Sequence, residues 1–253
     1  MNIRILGGAA TAIALLASMP ADAASISLSA TLRDFSASHS DFEANPIAGH
    51  VAGLASNTLD ADGKPTFSGA DGTGNVANAA SFAQWYRDVP GVNTPYTINL
   101  TLEETAPGSG IYSYANSSFF PLDAITGATE GNPHNYHFTL ELETSFTYQG
   151  GEVFNFTGDD DLWVYIDGKQ CIDLGGVHGA MSGACNLDSL GLTVGEDYSF
   201  KLFFAERHTT ESNFKVQTTI LLEDTSIPEV PEPGMLGLLG LGLVGMGALR
   251  RRR

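Results

Sequence analysis

Residues 158–179 read Gly-Asp-Asp-Asp-Leu-Trp-Val-Tyr-Ile-Asp-Gly-Lys-Gln-Cys-Ile-Asp-Leu-Gly-Gly-Val-His-Gly. After the three aspartates the side chains alternate with the period of two that is typical of a β-strand, with Leu162, Val164 and Ile166 on one face and Trp163 and Tyr165 on the other. Asp167-Gly168 follows, and it is a strong hairpin signal because a type I′ turn needs positive φ at both positions. The stretch therefore predicts a β-hairpin that begins directly after a carboxylate cluster.

The same alternation recurs along the rest of the chain, in short segments separated by turn-forming residues. These segments are 25–32, 96–102, 138–148, 153–156, 172–174, 198–204 and 214–220. Many short alternating segments favour two packed layers of strands. We expect an all-β fold, a β-sandwich of the jelly-roll type, with hydrophobic signal segments at both ends of the chain.

One short helix is expected, over 77–88. Phe82, Trp85 and Tyr86 fall three and four residues apart, and Pro90 follows them. A Trp-Tyr pair can stack on a sugar, but aromatic residues at helical spacing more often pack into a core. We interpret these three side chains as core residues.

The charge balance is strongly acidic. The chain of 253 residues contains 29 Asp and Glu against 12 Lys and Arg, which gives a formal charge of -17. A protein with this charge is repelled by the phosphates of nucleic acids and attracts cations. We therefore expect no nucleic-acid partner.

Both ends of the chain have the composition of sorting signals. Arg4 precedes an apolar run, and Ala21-Asp22-Ala23 offers the small-x-small pattern of a cleaved signal peptide. Near the other end, a proline-rich break precedes the apolar run Gly234–Leu249 and a final arginine cluster. The expected organisation is a signal peptide at 1–23, a folded domain at 24–224, a linker at 225–229 and a sorting tail at 230–253.

The two cysteines, Cys171 and Cys185, could pair in an oxidising compartment. Their bridge would close a loop that carries Gly175, Gly176 and His178. On a chain-entropy estimate, a loop of this length contributes roughly 3 kcal/mol to stability.

The three consecutive carboxylates, Asp159, Asp160 and Asp161, repel one another, and apolar surroundings make their charge costlier. One interpretation is that they bind Ca²⁺, which prefers carboxylate, carbonyl and water oxygens. The other is that they accept backbone N–H bonds and cap a turn. The residues alone leave both open. By contrast, Asp60-Ala-Asp-Gly lacks the remaining ligands of a calcium loop and predicts a plain turn.

Three further residues join the aspartates as candidate ligand-binding residues: His178, Glu206 and His208. Paired carboxylates such as Asp160 and Glu206 could cleave a glycoside. The chain, however, offers no activated serine or cysteine motif, metallohydrolase helix or phosphate-binding loop. Glu206 could instead pair with Arg207 or Lys215, and His178 could hydrogen-bond within its own loop. We expect a protein that is not an enzyme.

Six motifs together resemble the fibro-slime domain of secreted or surface bacterial proteins: Thr31-Leu-Arg-Asp-Phe, His39-Ser-Asp-Phe-Glu, Gln84-Trp-Tyr-Arg-Asp, the stretch from Gly158 to Lys169, Asp173-Leu-Gly-Gly-Val-His-Gly, and the stretch from Ala205 to Phe214. The central portion is similar to the β-sandwich of protective antigen and of the flocculin adhesins. In sugar-binding members of that group, two consecutive aspartates joined by a cis peptide hold a calcium ion that coordinates sugar hydroxyls. The resemblance implies this role for Asp159 and Asp160 or for Asp160 and Asp161. A further ligand such as Asn213 or Asp188 would come from another loop.

The order Val-Pro-Glu-Pro, apolar segment and arginine cluster resembles the PEP-CTERM sorting tail of Gram-negative bacteria. That resemblance implies an exosortase-type sorting enzyme as a partner and transient insertion of the tail into a membrane. We expect export through the periplasm, followed by secretion or display at the cell surface. The expected function is calcium-dependent binding of carbohydrate, such as exopolysaccharide, in adhesion. The alternatives are a purely structural matrix protein with a structural metal loop, and a polysaccharide-degrading enzyme.

Overall fold

The computed structural model describes residues 23–226, in which β-strands dominate. The ten strands are β1 (Ser25–Phe35), β2 (Asn93–Glu104), β3 (Tyr112–Asn116), β4 (Phe138–Thr147), β5 (Val153–Gly158), β6 (Asp161–Ile166), β7 (Lys169–Leu174), β8 (Met181–Asn186), β9 (Asp197–Glu206) and β10 (Phe214–Thr218). Two short helices, α1 (Ala79–Phe82) and α2 (Pro121–Thr126), and two 3₁₀ turns at Thr73–Asn75 and Leu187–Leu190 complete the described secondary structure. The expected signal peptide, apart from residue 23, and the expected sorting tail lie outside the described residues.

The strands form one continuous antiparallel ladder in the order β7-β6-β9-β4-β1-β2-β3-β10-β5-β8. All ten contribute side chains to a single buried apolar cluster, so the ladder folds over on itself as a sandwich around one core. Cys171 on β7 and Cys185 on β8 form a disulfide, with their Cα atoms 5.6 Å apart. The two end strands of the ladder are thereby joined. The predicted all-β sandwich is confirmed, and so is the cysteine pair.

A second buried cluster covers the outer face of β6 and β9. The segment between β1 and β2, residues 36–92, crosses this face and packs onto Trp163, Tyr165, Phe203 and Ala205. It contributes Leu54, Ala55, Val76, Phe82, Trp85 and Tyr86. The predicted alternation in β6 is confirmed, with the aliphatic face in the main core and the aromatic face in this outer cluster. The assignment of the Phe-Trp-Tyr trio to a core is also confirmed.

The helix expected at 77–88 is much shorter, because α1 ends at Phe82. Its start is well defined, since the Asn78 side chain accepts hydrogen bonds from the amides of Ala80 and Ser81. Beyond Phe82 the carbonyls of Gln84 and Trp85 accept hydrogen bonds from the side chains of Asn93 and Thr139. Tertiary contacts thus replace the next turn of helix.

Alternation in sequence located the long strands but missed β3 and β8, and it missed α2. The β8 sequence, Met-Ser-Gly-Ala-Cys-Asn, is dominated by small residues and therefore shows no apolar alternation. The strand lies at one end of the ladder. The hairpin between β6 and β7 is as predicted, with φ of 50° at Asp167 and 72° at Gly168. Within residues 23–226, no helix has the length and apolarity needed to cross a membrane.

Candidate functional site

The three aspartates lie where β5 passes into β6, and all are buried, with 3%, 5% and 0% of Asp159, Asp160 and Asp161 exposed. The peptide bond between Asp159 and Asp160 is cis. Of the two pairs that the sequence left open, the structure therefore has the cis bond in the first. Gly158 precedes the pair, and a Cβ there would lie 2.2 Å from the carbonyl oxygen of Asn213, so the chain needs glycine at this crossing.

Asp161 is committed to the architecture of the fold. Its Oδ2 accepts a hydrogen bond from Nε of Arg207 at 2.6 Å, and its Oδ1 accepts one from the amide of Gly176. The Arg207 guanidinium also donates to the carbonyls of Asp41 and Gly74 and lies 4.7 Å from the ring centroid of Trp85. This fully buried ion pair fastens the 36–92 segment to β6 and β9.

Asp159 and Asp160 are held only by uncharged donors. The two oxygens of Asp159 accept hydrogen bonds from the backbone amide and the side-chain amide of Asn213. Those of Asp160 accept from the amide of His178 at 3.2 Å and the amide of Arg207 at 3.0 Å. A carboxylate oxygen has two lone pairs, so each keeps capacity for a further ligand.

The negative charge of this corner exceeds its positive charge. Burial is the largest cause that raises the pKa of Asp160 to about 8; the neighbouring charges of Asp161 and Asp159 add to it, and the Arg207 guanidinium opposes it. Burial, and then the charge of Asp160, raise the pKa of Glu206 well above its ordinary value. Glu206 is 1% exposed and lies beside Ser212, yet within residues 23–226 neither side chain makes a hydrogen bond of normal geometry.

An open pocket of about 490 Å³ lies against Asp159 and Asp160. One wall is the loop after β7, with Val177, His178 and Gly179, and the other is the segment His208–Glu211 after β9. Ile47, which is 51% exposed, lies at the rim. The pocket thus combines carboxylates, imidazoles and hydroxyls with one apolar patch.

Four of the six sequence-predicted ligand residues line this pocket: Asp159, Asp160, His178 and His208. Asp161 and Glu206 do not. His178 hydrogen-bonds within its own loop, to the carbonyls of Gly179 and Leu174, as the sequence allowed. The alternative that Glu206 pairs with Arg207 or Lys215 is wrong, because Arg207 pairs with Asp161 and the Glu206 carboxylate makes no ion pair among the described residues.

Of the two additional ligands considered, Asn213 lies at the aspartate pair and Asp188 does not. Asp188 accepts hydrogen bonds from the hydroxyl of Tyr148 and the amide of Gly151, in a different part of the sandwich. The plain turn predicted at Asp60 is present, since its Oδ1 accepts from the amides of Asp62 and Lys64.

The carboxylates and hydroxyls that line the pocket offer oxygens of the kind that hard cations prefer, but these side chains alone are few. Among the residues that the structure describes, no group of three or more His, Cys, Asp or Glu side chains is placed to hold a metal ion. Asp159 and Asp160 would supply two carboxylates to Ca²⁺, which takes about six to eight oxygens. Backbone carbonyls, the Asn213 amide, water and ligand hydroxyls would have to complete such a shell.

The close approach of another loop explains the Gly175-Gly176 pair. Gly176 has φ of 103°, and a Cβ there would lie 2.2 Å from the carbonyl of Gly49. The amide of Val51 donates to the carbonyl of Gly175 at 2.6 Å. The 36–92 segment therefore reaches the pocket and places Ile47 there, which alternation in sequence did not reveal.

Thr209, Thr210 and Glu211 also line the pocket and were not singled out in the sequence. The sequence did contain a signal for them, because all three lie inside the motif Ala205–Phe214. They stand between an alternating strand and the residue that hydrogen-bonds to Asp159. A polar loop of this kind, placed by two strands, is where binding residues concentrate.

The structure is thus a β-sandwich built on antiparallel strands, with a loop-lined pocket over a buried aspartate pair. Residues 121–232 match the PA14 domain, and residues 229–253 match the PEP-CTERM protein-sorting motif. Residues 121–232 are therefore similar to the PA14 domain, and the end of the chain, beyond the described residues, matches a protein-sorting motif.

Curated relatives from Dictyostelium discoideum cover most of the chain. Protein psiC is 41% identical over 214 residues, which is 78% of this chain and 42% of that protein. Protein psiR is 39% identical over 194 residues, which is 71% of this chain and 20% of that protein. The chain is similar to these proteins over most of its own length and spans less than half of either.

Among solved structures, the PA14 sugar-binding domain from an RTX adhesin aligns over 77% of this chain and 90% of its own, at 7% identity and a TM-score of 0.34. The overlap of the two backbones is slight, so the strand order and the pocket described above rest on this chain alone.

Proposed function

We propose that the chain is an exported, non-enzymatic surface protein that binds carbohydrate in the pocket at Asp159 and Asp160, with the help of a calcium ion held by these two aspartates. Adhesion to exopolysaccharide is the biological role that fits an acidic, exported β-sandwich. Calcium would supply a positive centre on which vicinal hydroxyls of a sugar could be ligands.

The observation that carries this proposal is the unbalanced charge beneath the pocket. Asp159, Asp160 and Glu206 are buried together, while the nearby guanidinium, Arg207, is already bonded to Asp161. Buried carboxylates without a counter-charge must bind a proton or a cation. Because Asp159 and Asp160 also face an open pocket, a cation there would be reachable by a ligand.

The pocket chemistry supports a polyhydroxylated ligand. Thr209 and Thr210 offer hydroxyls, Glu211 a carboxylate and His208 an imidazole, around a rim that includes the exposed Ile47. Sugars combine hydroxyl groups with apolar C–H patches and suit such a mixture.

The geometry favours binding over hydrolysis. A glycosidase needs two carboxyl groups that flank the scissile bond. Of the pair considered in the sequence, Asp160 faces the pocket, whereas Glu206 is buried behind it and does not line it. Release of reducing sugar from a polysaccharide by the purified protein would contradict this assignment.

Calorimetric titration with Ca²⁺ tests the ion site. The native protein should release or take up heat with a defined stoichiometry, and Asp160→Asn should weaken binding at least about tenfold, or ~1.4 kcal/mol. Asp62→Asn is the matched control, since Asp62 is an exposed turn carboxylate far more open to water. A native protein without heat, or equal losses in both variants, would overturn the calcium assignment.

A glycan array tests the ligand class. Specific signals that disappear with a chelator and return with Ca²⁺ support the full proposal. Signals that persist in the presence of the chelator support carbohydrate binding without the ion. A blank array overturns the carbohydrate assignment and favours the purely structural role.

We further propose that an exosortase-type enzyme removes the tail at 230–253. The PEP-CTERM match supports this assignment. The intact mass of the protein recovered from the surface of the cells that produce it should correspond to a chain without the tail. A mass that corresponds to the full-length chain would contradict the proposal.

A further inference from the structure

The wall His208–Glu211 of the pocket lies outside the strands and is fastened by one distant residue, Glu43. The backbone amide of Glu43 donates to the carbonyl of Arg207 at 3.0 Å. Its Oε1 accepts from the amide of Thr209 at 2.8 Å, and its Oε2 accepts from the Thr209 hydroxyl at 3.2 Å. Glu43 thus holds the wall through its carboxylate, and its backbone holds the residue that precedes the wall.

The same carboxylate contacts a buried histidine. Nε2 of His137 lies 2.9 Å from Oε1 of Glu43, and Nδ1 lies 2.8 Å from Oε2 of Glu130. The His137 side chain is only 2% exposed. A neutral imidazole carries one N–H, so only the doubly protonated ring can donate to both carboxylates at once.

Glu130 closes the far end of this arrangement. It accepts hydrogen bonds from the hydroxyl of Ser36 and the amide of Ala37, both at 2.9 Å. Other titratable groups face the same corner: Asp34 lies near both Glu130 and His137, and Nε2 of His208 lies 3.8 Å from Oε2 of Glu43. This corner therefore holds three carboxylates and, besides His137, one further imidazole.

We propose that Glu43 is a positioning residue of the pocket, and that the Glu43–His137–Glu130 relay fixes the wall His208–Glu211 when His137 is doubly protonated. The wall is then held less firmly when the ring loses a proton, which makes the pocket sensitive to pH. The relay itself needs no ligand; its effect on binding rests on the function proposed above.

The directions of titration agree with this geometry. Burial raises the pKa of Glu43, but hydrogen bonds from His137 and Thr209 outweigh it and the net shift is downward. Burial likewise raises the pKa of Glu130, and bonds from Ala37, Ser36 and His137 lower it overall. Both carboxylates therefore stay charged to a pH below about 4.3, the ordinary pKa of a glutamate side chain. They take up a proton, and these hydrogen bonds weaken, only as the pH falls further. At alkaline pH, a ring nitrogen of His137 without its proton would face a carboxylate oxygen. Two hydrogen-bond acceptors would then face each other, and they repel.

Amide hydrogen exchange at Thr209, followed by NMR, reads the wall without any ligand. In the native protein the protection factor should fall about tenfold between roughly pH 5 and pH 8, the interval over which an imidazole changes charge. Glu43→Gln keeps an acceptor but removes the charge, so its protection should be lower and independent of pH. Glu103→Gln, an exposed carboxylate on β2, is the matched control and should follow the native profile.

Native protection that is flat over this range, or a Glu43→Gln profile with the native slope, would overturn the relay. If Glu43→Gln folds poorly, Thr209→Val removes only the hydroxyl contact and should lower protection two- to threefold, on the order of 0.5 kcal/mol. The glycan array run at both pH values separates the two proposals. A blank array contradicts carbohydrate binding, while the protection factors still decide the relay.

Discussion

Asp160 and Asp161 are neighbours in sequence and nearly equal in burial, yet they belong to two different regions of the molecule. Asp161 faces the side where Arg207 and the 36–92 segment meet, and its charge is neutralised by a fully buried guanidinium. Asp160 faces the pocket, and its oxygens meet only backbone amides. The difference teaches that burial alone does not separate the two carboxylates; the missing counter-charge is what makes Asp160 the candidate site residue.

The two regions also differ in how completely their polar groups are satisfied. The Arg207 guanidinium donates to Asp161 and to three backbone carbonyls and stacks on Trp85. Behind the pocket, the carboxylate of Glu206 and the hydroxyl of Ser212 make no hydrogen bond of normal geometry within residues 23–226. A satisfied buried network specifies a fold, whereas an unsatisfied one leaves room for an ion or a ligand.

The largest effect should come from breaking the satisfied region. Arg207→Met leaves Asp161 buried without a counter-charge and should cost about 3–5 kcal/mol. Urea unfolding measures this loss. Arg87→Met is the control, because Arg87 pairs with Asp60 near the surface, where an ion pair contributes about 0–1 kcal/mol. Equal losses in the two variants would contradict the structural role given to Asp161.

The disulfide should come next, because the loop that follows β7 serves both regions. The amide of Gly176 donates to Asp161 and that of His178 donates to Asp160. Replacing Cys171 and Cys185 together by serine should lower stability by roughly 3 kcal/mol. Denaturant titration of the two forms measures it, and unchanged stability would show that the strand ladder alone closes the sandwich.

Sequence reasoning could predict the strands and the hairpin, because alternation and Asp-Gly turn chemistry are local. It could not predict which carboxylate pairs with Arg207. That choice follows from the register of β6 against β9, which places Asp161 opposite Ala205. The aspartate cluster was visible, yet its division into a structural and a pocket-facing member depends on a partner 46 residues away. The contact of Glu43 with His137 was harder still to predict, since the two residues lie 94 positions apart in the sequence.

The third test addresses the pocket side through pH. The pKa of Asp160 is raised from its ordinary value of 3.8 to about 8. Between these two pH values, the folded state still binds a proton that the unfolded chain has released. Stability of the ion-free protein should therefore fall as the pH rises from about 4 to about 8, and then level off. Urea unfolding at a series of pH values in chelator measures the slope.

Two neighbouring variants decide whether this slope belongs to Asp160. Asp160→Asn should flatten it, while Asp161→Asn should lower stability at every pH because it removes the partner of Arg207. Added Ca²⁺ should recover stability in the native protein above about pH 6 and leave Asp160→Asn unchanged, since an ion that binds only the folded state stabilises it by mass action. A slope that survives in Asp160→Asn would assign the proton to Glu206, the other buried carboxylate with a raised pKa, and the unbalanced charge would then lie behind the pocket and not in it.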